Sequence, residues 1–180
     1  HATDLIRGFC ENNSVPLPQI GFTSRLIRTK QTMEVMLQEL KLKGSFQTVA
    51  GLDFEIDDKL EMNTVKVLQT WRLNERHYGS WQGQRKPEIL KEYGKEQYMY
   101  IRRDYQGKPP SADLKREMIQ EVNDPGSSTG YEFKEPNRRL KYGLEEEAGD
   151  VLPDSESLCD VVKRLSPFLK NVVLKIGKDY

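Results

Sequence analysis

The chain has 180 residues, long enough for one domain with a real core, and its 28 basic residues balance 28 acidic ones to a net charge of zero. That balance argues against general adhesion to nucleic acid or to a membrane surface, and no stretch approaches the roughly 18 apolar residues of a membrane span. The mean hydropathy of −0.74 is low for a compact α/β protein, and the chain opens on His1 and breaks off just after the apolar run in "NVVLKIGKDY", so a fragment cut at both ends is expected. The visible part carries no charged-then-apolar leader.

In chain order, "HATDLIRGFC" sets Leu5, Ile6 and Phe9 on one helical face, and "NNSVPLP" is a turn-rich connector. The short apolar run "QIGFTS" reads as a strand feeding a helix in "SRLIRTKQTMEVMLQELKLKG". There Leu26, Met33, Met36, Leu37 and Leu40 repeat at three and four, Thr23 or Ser24 can cap the start, and Gly44 can end it. Between Gly44 and Thr70 the pattern weakens into a polar, acidic stretch, read as an exposed insertion. Its "DFEIDDKLE" lacks the central glycine of a calcium loop, so that reading is dismissed. In "KPEILKEYG" Pro87 suits a first helical turn and Gly94 a stop, and "KEQYMYIRRDY" continues as a second short helix with Tyr98 and Ile101 inward. "NDPGSSTGYEFKEPN" is a loop by composition. "DSESLCDVVKRLSPFL" is an amphipathic helix capped by Ser155 or Ser157, with Leu158, Val161, Val162, Leu165 and Phe168 or Leu169 on one stripe.

Cys10 and Cys159 lie far apart with no partner residues at metal spacing, which predicts reduced, partly buried thiols of an intracellular protein. From Trp71 to Pro110 nine Lys/Arg face five Asp/Glu, with both tryptophans and five tyrosines. Such a block can bind single strands if its rings are exposed; at helical spacing Tyr and Trp are more often core. Within it Glu75 stands between Arg72 and Arg76, followed by His77, Tyr78, Arg85 and Lys86. Two readings are open. A carboxylate hemmed in by cations has its pKa lowered and forms a salt bridge, whereas one beside a bound anion is pushed up and can donate a proton near neutral pH. Arg102 and Arg103 diverge by ~100° on a helix, yet at a helix end they can grip two sides of one anion, with Lys86 adding a point charge.

The segments "SRLIRTKQT", "WRLNERHYGSWQGQRKPEILKEYG", "YIRRDYQGKPP" and "LPDSESLCDVVKRLSPFL" resemble, in the right order and over most of the chain, the signature segments of the cofactor-dependent phosphoglycerate mutases of the histidine phosphatase superfamily, in particular divergent fungal paralogues. The resemblance implies a three-layer α/β/α fold with a mostly parallel sheet, lacking central strands at both chain ends, in one partial domain over 1–180 with insertions near 43–69 and 118–149. It implies exchange of a phosphoryl group between the 3- and 2-positions of glycerate through a phosphohistidine primed by 2,3-bisphosphoglycerate, without a metal, in the cytoplasm. By the same resemblance Arg28 holds the transferring phosphoryl group, Glu75 is the proton donor and acceptor, and Tyr78, Lys86, Arg102 and Arg103 bind the substrate's carboxylate and other phosphate.

The family's two active-site histidines lie in motifs expected before His1 and after Tyr180, and neither His1 nor His77 matches them, so the chain alone is expected to be inactive and to fold poorly. The implied partner is a small-molecule substrate, with no nucleic acid and no membrane, and a homo-oligomer is compatible because family members are often dimers or tetramers. A phosphatase using the same phosphohistidine, or a non-catalytic paralogue with a regulatory role, stands as the alternative.

Overall fold

The computed structural model describes residues 1–54, 56, 61–111 and 142–179, with residues 178 and 179 by backbone alone. The chain divides into two compact units, 1–73 and 74–180.

The first unit is built on a three-stranded parallel sheet, as the α/β reading predicts. Helix α1 (Ala2–Asn13) leads through the connector to β1 (Ile20–Thr23), and α2 (Ile27–Glu39) follows before β2 (Lys43–Thr48) and β3 (Thr64–Gln69). The strand order is β1-β3-β2. Gly21 pairs with Val67 on one side of β3, and Phe46 pairs with Val67 on the other. Parallel strands need crossover connections that cover a sheet face, and α2 does this with the stripe read from the sequence. Leu37 packs with Val65 and Val67 in a core that Met33, Leu42 and Phe46 complete.

Three expectations for this unit are corrected. Leu5 and Phe9 are exposed, while Thr3 and Cys10 on the other side of α1 are buried; the Arg7 guanidinium donates to the Glu39 carbonyl at 2.6 Å. Helix α2 stops at Glu39, not Gly44: Lys41 takes the left-handed conformation at φ 59 and the Leu42 N–H returns to the Leu37 carbonyl at 2.9 Å, a Schellman-type close. Gly44 belongs to β2. At the start of α2, Ser24 Oγ accepts from the Leu26 N–H at 3.2 Å and lies 2.6 Å from Thr29 Oγ1. The stretch read as an exposed insertion carries the sheet's central strand, with Val67 wholly buried. Its acidic part, 55 and 57–60, lies outside the described residues.

The second unit begins at Asn74. After a short 3₁₀ turn at Gly79–Trp81 comes α3 (Lys86–Arg103), then α4 (Gly143–Glu147), α5 (Leu158–Phe168), a π-wound turn at Leu169–Val173 and α6 (Leu174–Asp179). Gly94 sits at φ 77, ψ 162 and breaks α3 into the two helices expected, with Pro87 in the first turn. Ile89 and Tyr93 before the break and Tyr98 and Ile101 after it pack on Trp81, so these rings are taken up in packing, while Tyr100 and Tyr105 are exposed. The Trp81 ring centroid lies 5.2 Å from that of Tyr93 and 6.0 Å from that of Tyr98.

Ser157 caps α5 in a reciprocal box with Asp160, and the backbone N–H bonds draw the Asp160 carboxyl below its ordinary value. Pro167 lacks an N–H and crowds the preceding turn, and the wider winding of Leu169–Val173 follows it directly. The buried face of α5 is Cys159, Arg164 and Phe168, whereas Leu158, Val162 and Leu169 are exposed. The predicted stripe is therefore rotated, because Arg164 is drawn inward by the Glu156 carboxylate and the Asn74 carbonyl. Both cysteines are free and buried. The loop 123–137 and most of the second expected insertion, 118–141, lie outside the described residues.

Candidate functional site

In the second unit the residues around Glu75 are fixed by one buried carboxylate. Glu156, just before the cap of α5, is 1% exposed and His77 is 0% exposed. Glu156 Oε2 accepts the His77 backbone N–H at 3.0 Å and lies 2.6 Å from His77 Nδ1. Arg164, two turns into α5, donates Nε to Glu156 Oε1 at 2.6 Å and Nη2 to Oε2 at 3.1 Å. The same Nη2 reaches the carbonyls of Asn74 at 2.8 Å and of Glu75 at 3.4 Å. Arg76 is also buried, with Nε on the Glu156 carbonyl at 2.6 Å and Nη2 on the carbonyls of Ile101 at 2.9 Å and Gly107 at 2.7 Å.

Buried charge is costly unless paired and hydrogen-bonded, and the electrostatics follow. Burial alone would raise the Glu156 carboxyl; hydrogen bonds from His77 and Arg164, with their charge, outweigh it and hold it at about 2. Burial pulls Arg76 below the ordinary arginine value, opposed by Tyr78 and Glu156. Because Glu156 is ionised it can only accept, so His77 carries its proton on Nδ1. A fully buried ring committed to a carboxylate is not available to take a phosphoryl group, as expected for His77.

The carboxyl-bearing residue of this segment faces the other way. Glu75 is exposed, between buried Asn74 and Arg76. Tyr78 is half-buried against the Trp81 cluster, its ring 5.1 Å from the Arg76 guanidinium. Gly79 takes φ 58, where a Cβ would strike the Pro110 carbonyl and Ser155; that carbonyl accepts the Ser80 N–H at 2.9 Å. The glycine of "HYG" thus lets the chain close tightly beside Tyr78.

The other candidates occupy helix ends. Lys86 is exposed in the first turn of α3 and Arg103 is exposed in its last. Arg102 is half-buried, 5.5 Å over the Tyr98 ring, and its charge acts on Arg76. Folding of α3 about Trp81 brings Ile89, three residues from Lys86, and Ile101, next to Arg102, into one cluster with Tyr78. In the first unit Arg28 is half-buried in the first turn of α2, which holds no acidic side chain.

Glu156 and Arg164 were missed in the sequence. The available signal was Arg164 itself, a cation three residues from Val161 and four from Phe168 on an otherwise apolar face, which demands a buried acid as partner.

Residues 55–128 fit the profile of the histidine phosphatase superfamily (branch 1). The chain belongs to that superfamily. It is 64% identical over 97% of its length to phosphoglycerate mutase 3 of Saccharomyces cerevisiae and 62% identical over all of it to phosphoglycerate mutase 2 of the same yeast. It is 34% identical over 90% of its length to a 2,3-bisphosphoglycerate-dependent phosphoglycerate mutase of Bifidobacterium longum. The chain spans 58%, 60% and 50% of the length of these relatives. Among the described residues no helix is long and apolar enough to cross a membrane.

Proposed function

We propose that the complete protein is a cytoplasmic phosphoglycerate mutase that interconverts 3-phosphoglycerate and 2-phosphoglycerate through a phosphohistidine. The observation that carries this reading is the placement of Glu75: an exposed carboxyl on a backbone whose neighbours Arg76 and His77 are buried and fixed. A general acid needs a set position more than a special composition, and this pedestal supplies one.

The cations fit a phosphorylated acid. Lys86 and Arg28 each lie in a first helical turn, where the N-terminal end of the helix dipole adds to their positive charge. Arg102 and Arg103 can offer planar forks to carboxylate or phosphate oxygens, and Tyr78 an uncharged hydroxyl. In this assignment Arg28 holds the transferring phosphoryl group, Lys86, Tyr78, Arg102 and Arg103 orient the glycerate, and Glu75 gives and regains the proton of its oxygen. Phosphoryl transfer depends mainly on such positioning and charge neutralisation. The same cations suit 2,3-bisphosphoglycerate, which supplies the priming phosphoryl group when bound.

The test is conversion of 3-phosphoglycerate by the complete protein, with radiolabel from bisphosphoglycerate appearing on a histidine. Equal hydrolysis of unrelated phosphomonoesters would assign a phosphatase instead. Absence of any calorimetric affinity for 3-phosphoglycerate would assign a non-catalytic paralogue.

A further inference from the structure

We infer that Arg164 and Glu156 are positioning residues for the Glu75 carboxyl, acting on the reaction and not only on stability; this rests on the reading of Glu75 as the proton donor. Neither side chain is open to solvent. Both are buried, and their side chains bond to each other and to the segment that carries Glu75: the Asn74 and Glu75 carbonyls accept from Arg164 Nη2, and the His77 N–H and ring meet Glu156 Oε2. The Glu156 backbone closes the frame, its N–H donating to the His77 carbonyl at 2.8 Å and its carbonyl accepting Arg76 Nε at 2.6 Å.

The consequence is geometric. The peptide units before and after Glu75 are both tied to one side, so the Cα–Cβ direction of Glu75 is set by α5, some ninety residues away along the chain. One guanidinium nitrogen serves two carbonyls, and an ammonium on a flexible stem cannot reproduce that fork. Replacing it should let the 74–75 peptides turn and swing the carboxyl away, and displacements near 1 Å cost up to about a hundredfold in rate.

The complete protein is measured as Arg164→Lys, Glu75→Gln and the double variant, for kcat, KM for 3-phosphoglycerate and thermal midpoint. The expected result is a fall in kcat of about tenfold or more for Arg164→Lys with KM within about twofold, and less than about twofold further loss when the same change is made on Glu75→Gln, because residues acting through one group are not additive. An equal fold-loss in both backgrounds overturns the inference and leaves Arg164 with a structural role; so does full activity of Arg164→Lys. If Glu75→Gln itself is fully active, the reading of Glu75 fails first, a distinct outcome. Should Arg164→Lys not fold, Glu156→Asp, which keeps the charge and withdraws it by one methylene, gives the same comparison. Failure of both to fold assigns the pair to stability alone and overturns the proposal.

Discussion

His77 Nδ1 and Glu156 Oε2 lie 2.6 Å apart with both side chains shut off from solvent. A hydrogen bond of that length to an ionised carboxylate in a dry surround is strong, and its removal from one side only leaves a charge without its partner. Glu156→Ala strands Arg164 next to backbone carbonyls that cannot neutralise it. The expected loss is about 3–5 kcal/mol, read from chemical denaturation of the complete protein; a loss under about 1 kcal/mol would mean that water or another acid replaces it.

The same carboxyl makes stability depend on pH in a defined window. It titrates at about 2 in the fold against an ordinary 4.5, so the unfolded chain binds the proton more readily. Its contribution is complete above pH 4.5 and is lost as pH falls toward 2, a difference of roughly 3 kcal/mol. Wild type should therefore lose its advantage over Glu156→Gln across that interval. Parallel denaturation curves for the two from pH 5 to pH 2 would contradict the assignment.

Gly79→Ala should be among the costly single substitutions of the second unit. The added methyl meets the Pro110 carbonyl and Ser155 at a positive φ, so backbone must move, at about 2 kcal/mol or more. Tyr78 is tied to the same turn, and KM for 3-phosphoglycerate should rise with the loss of stability. Unchanged melting would show that the turn relaxes freely.

Lys41→Gly is the opposite case. Lys41 ends α2 in the left-handed conformation, which costs an L-residue on the order of 1 kcal/mol, and glycine avoids it. A stabilisation of up to about 1 kcal/mol is expected from the melting midpoint, and a net loss would contradict the cap geometry.

Local signals were legible in the sequence and non-local ones were not. The β1–α2 unit, the break at Gly94 and the Ser157 cap follow from periodicity and from residues with a special backbone preference. The central strand β3 was hidden because "TVKVLQ" is short, interrupted by Lys66, and adjoins an acidic stretch that dominates the average. On α5 the apolar stripe is overridden by Arg164, which turns inward to backbone carbonyls and a carboxylate, while on α1 Arg7 reaches the Glu39 carbonyl at an exposed position. Those acceptors lie 32 residues from Arg7 and 90 from Arg164, in the case of the Asn74 carbonyl, beyond any local pattern. Glu75, Lys86, Arg102 and Arg103 stand out by charge pattern, Arg28 and the individual roles come from the resemblance, and the frame that holds Glu75 is seen only in the fold.

In the proposed reaction Glu75 moves a proton while other groups handle the phosphoryl group. Glu75→Gln in the complete protein, compared with wild type for histidine labelling by bisphosphoglycerate and for turnover of 3-phosphoglycerate, tests it directly. Labelling should stay near the wild-type level while kcat falls by about 10²–10⁴-fold, the range of lost acid–base catalysis; turnover unchanged, or labelling and turnover lost in the same proportion, would contradict it.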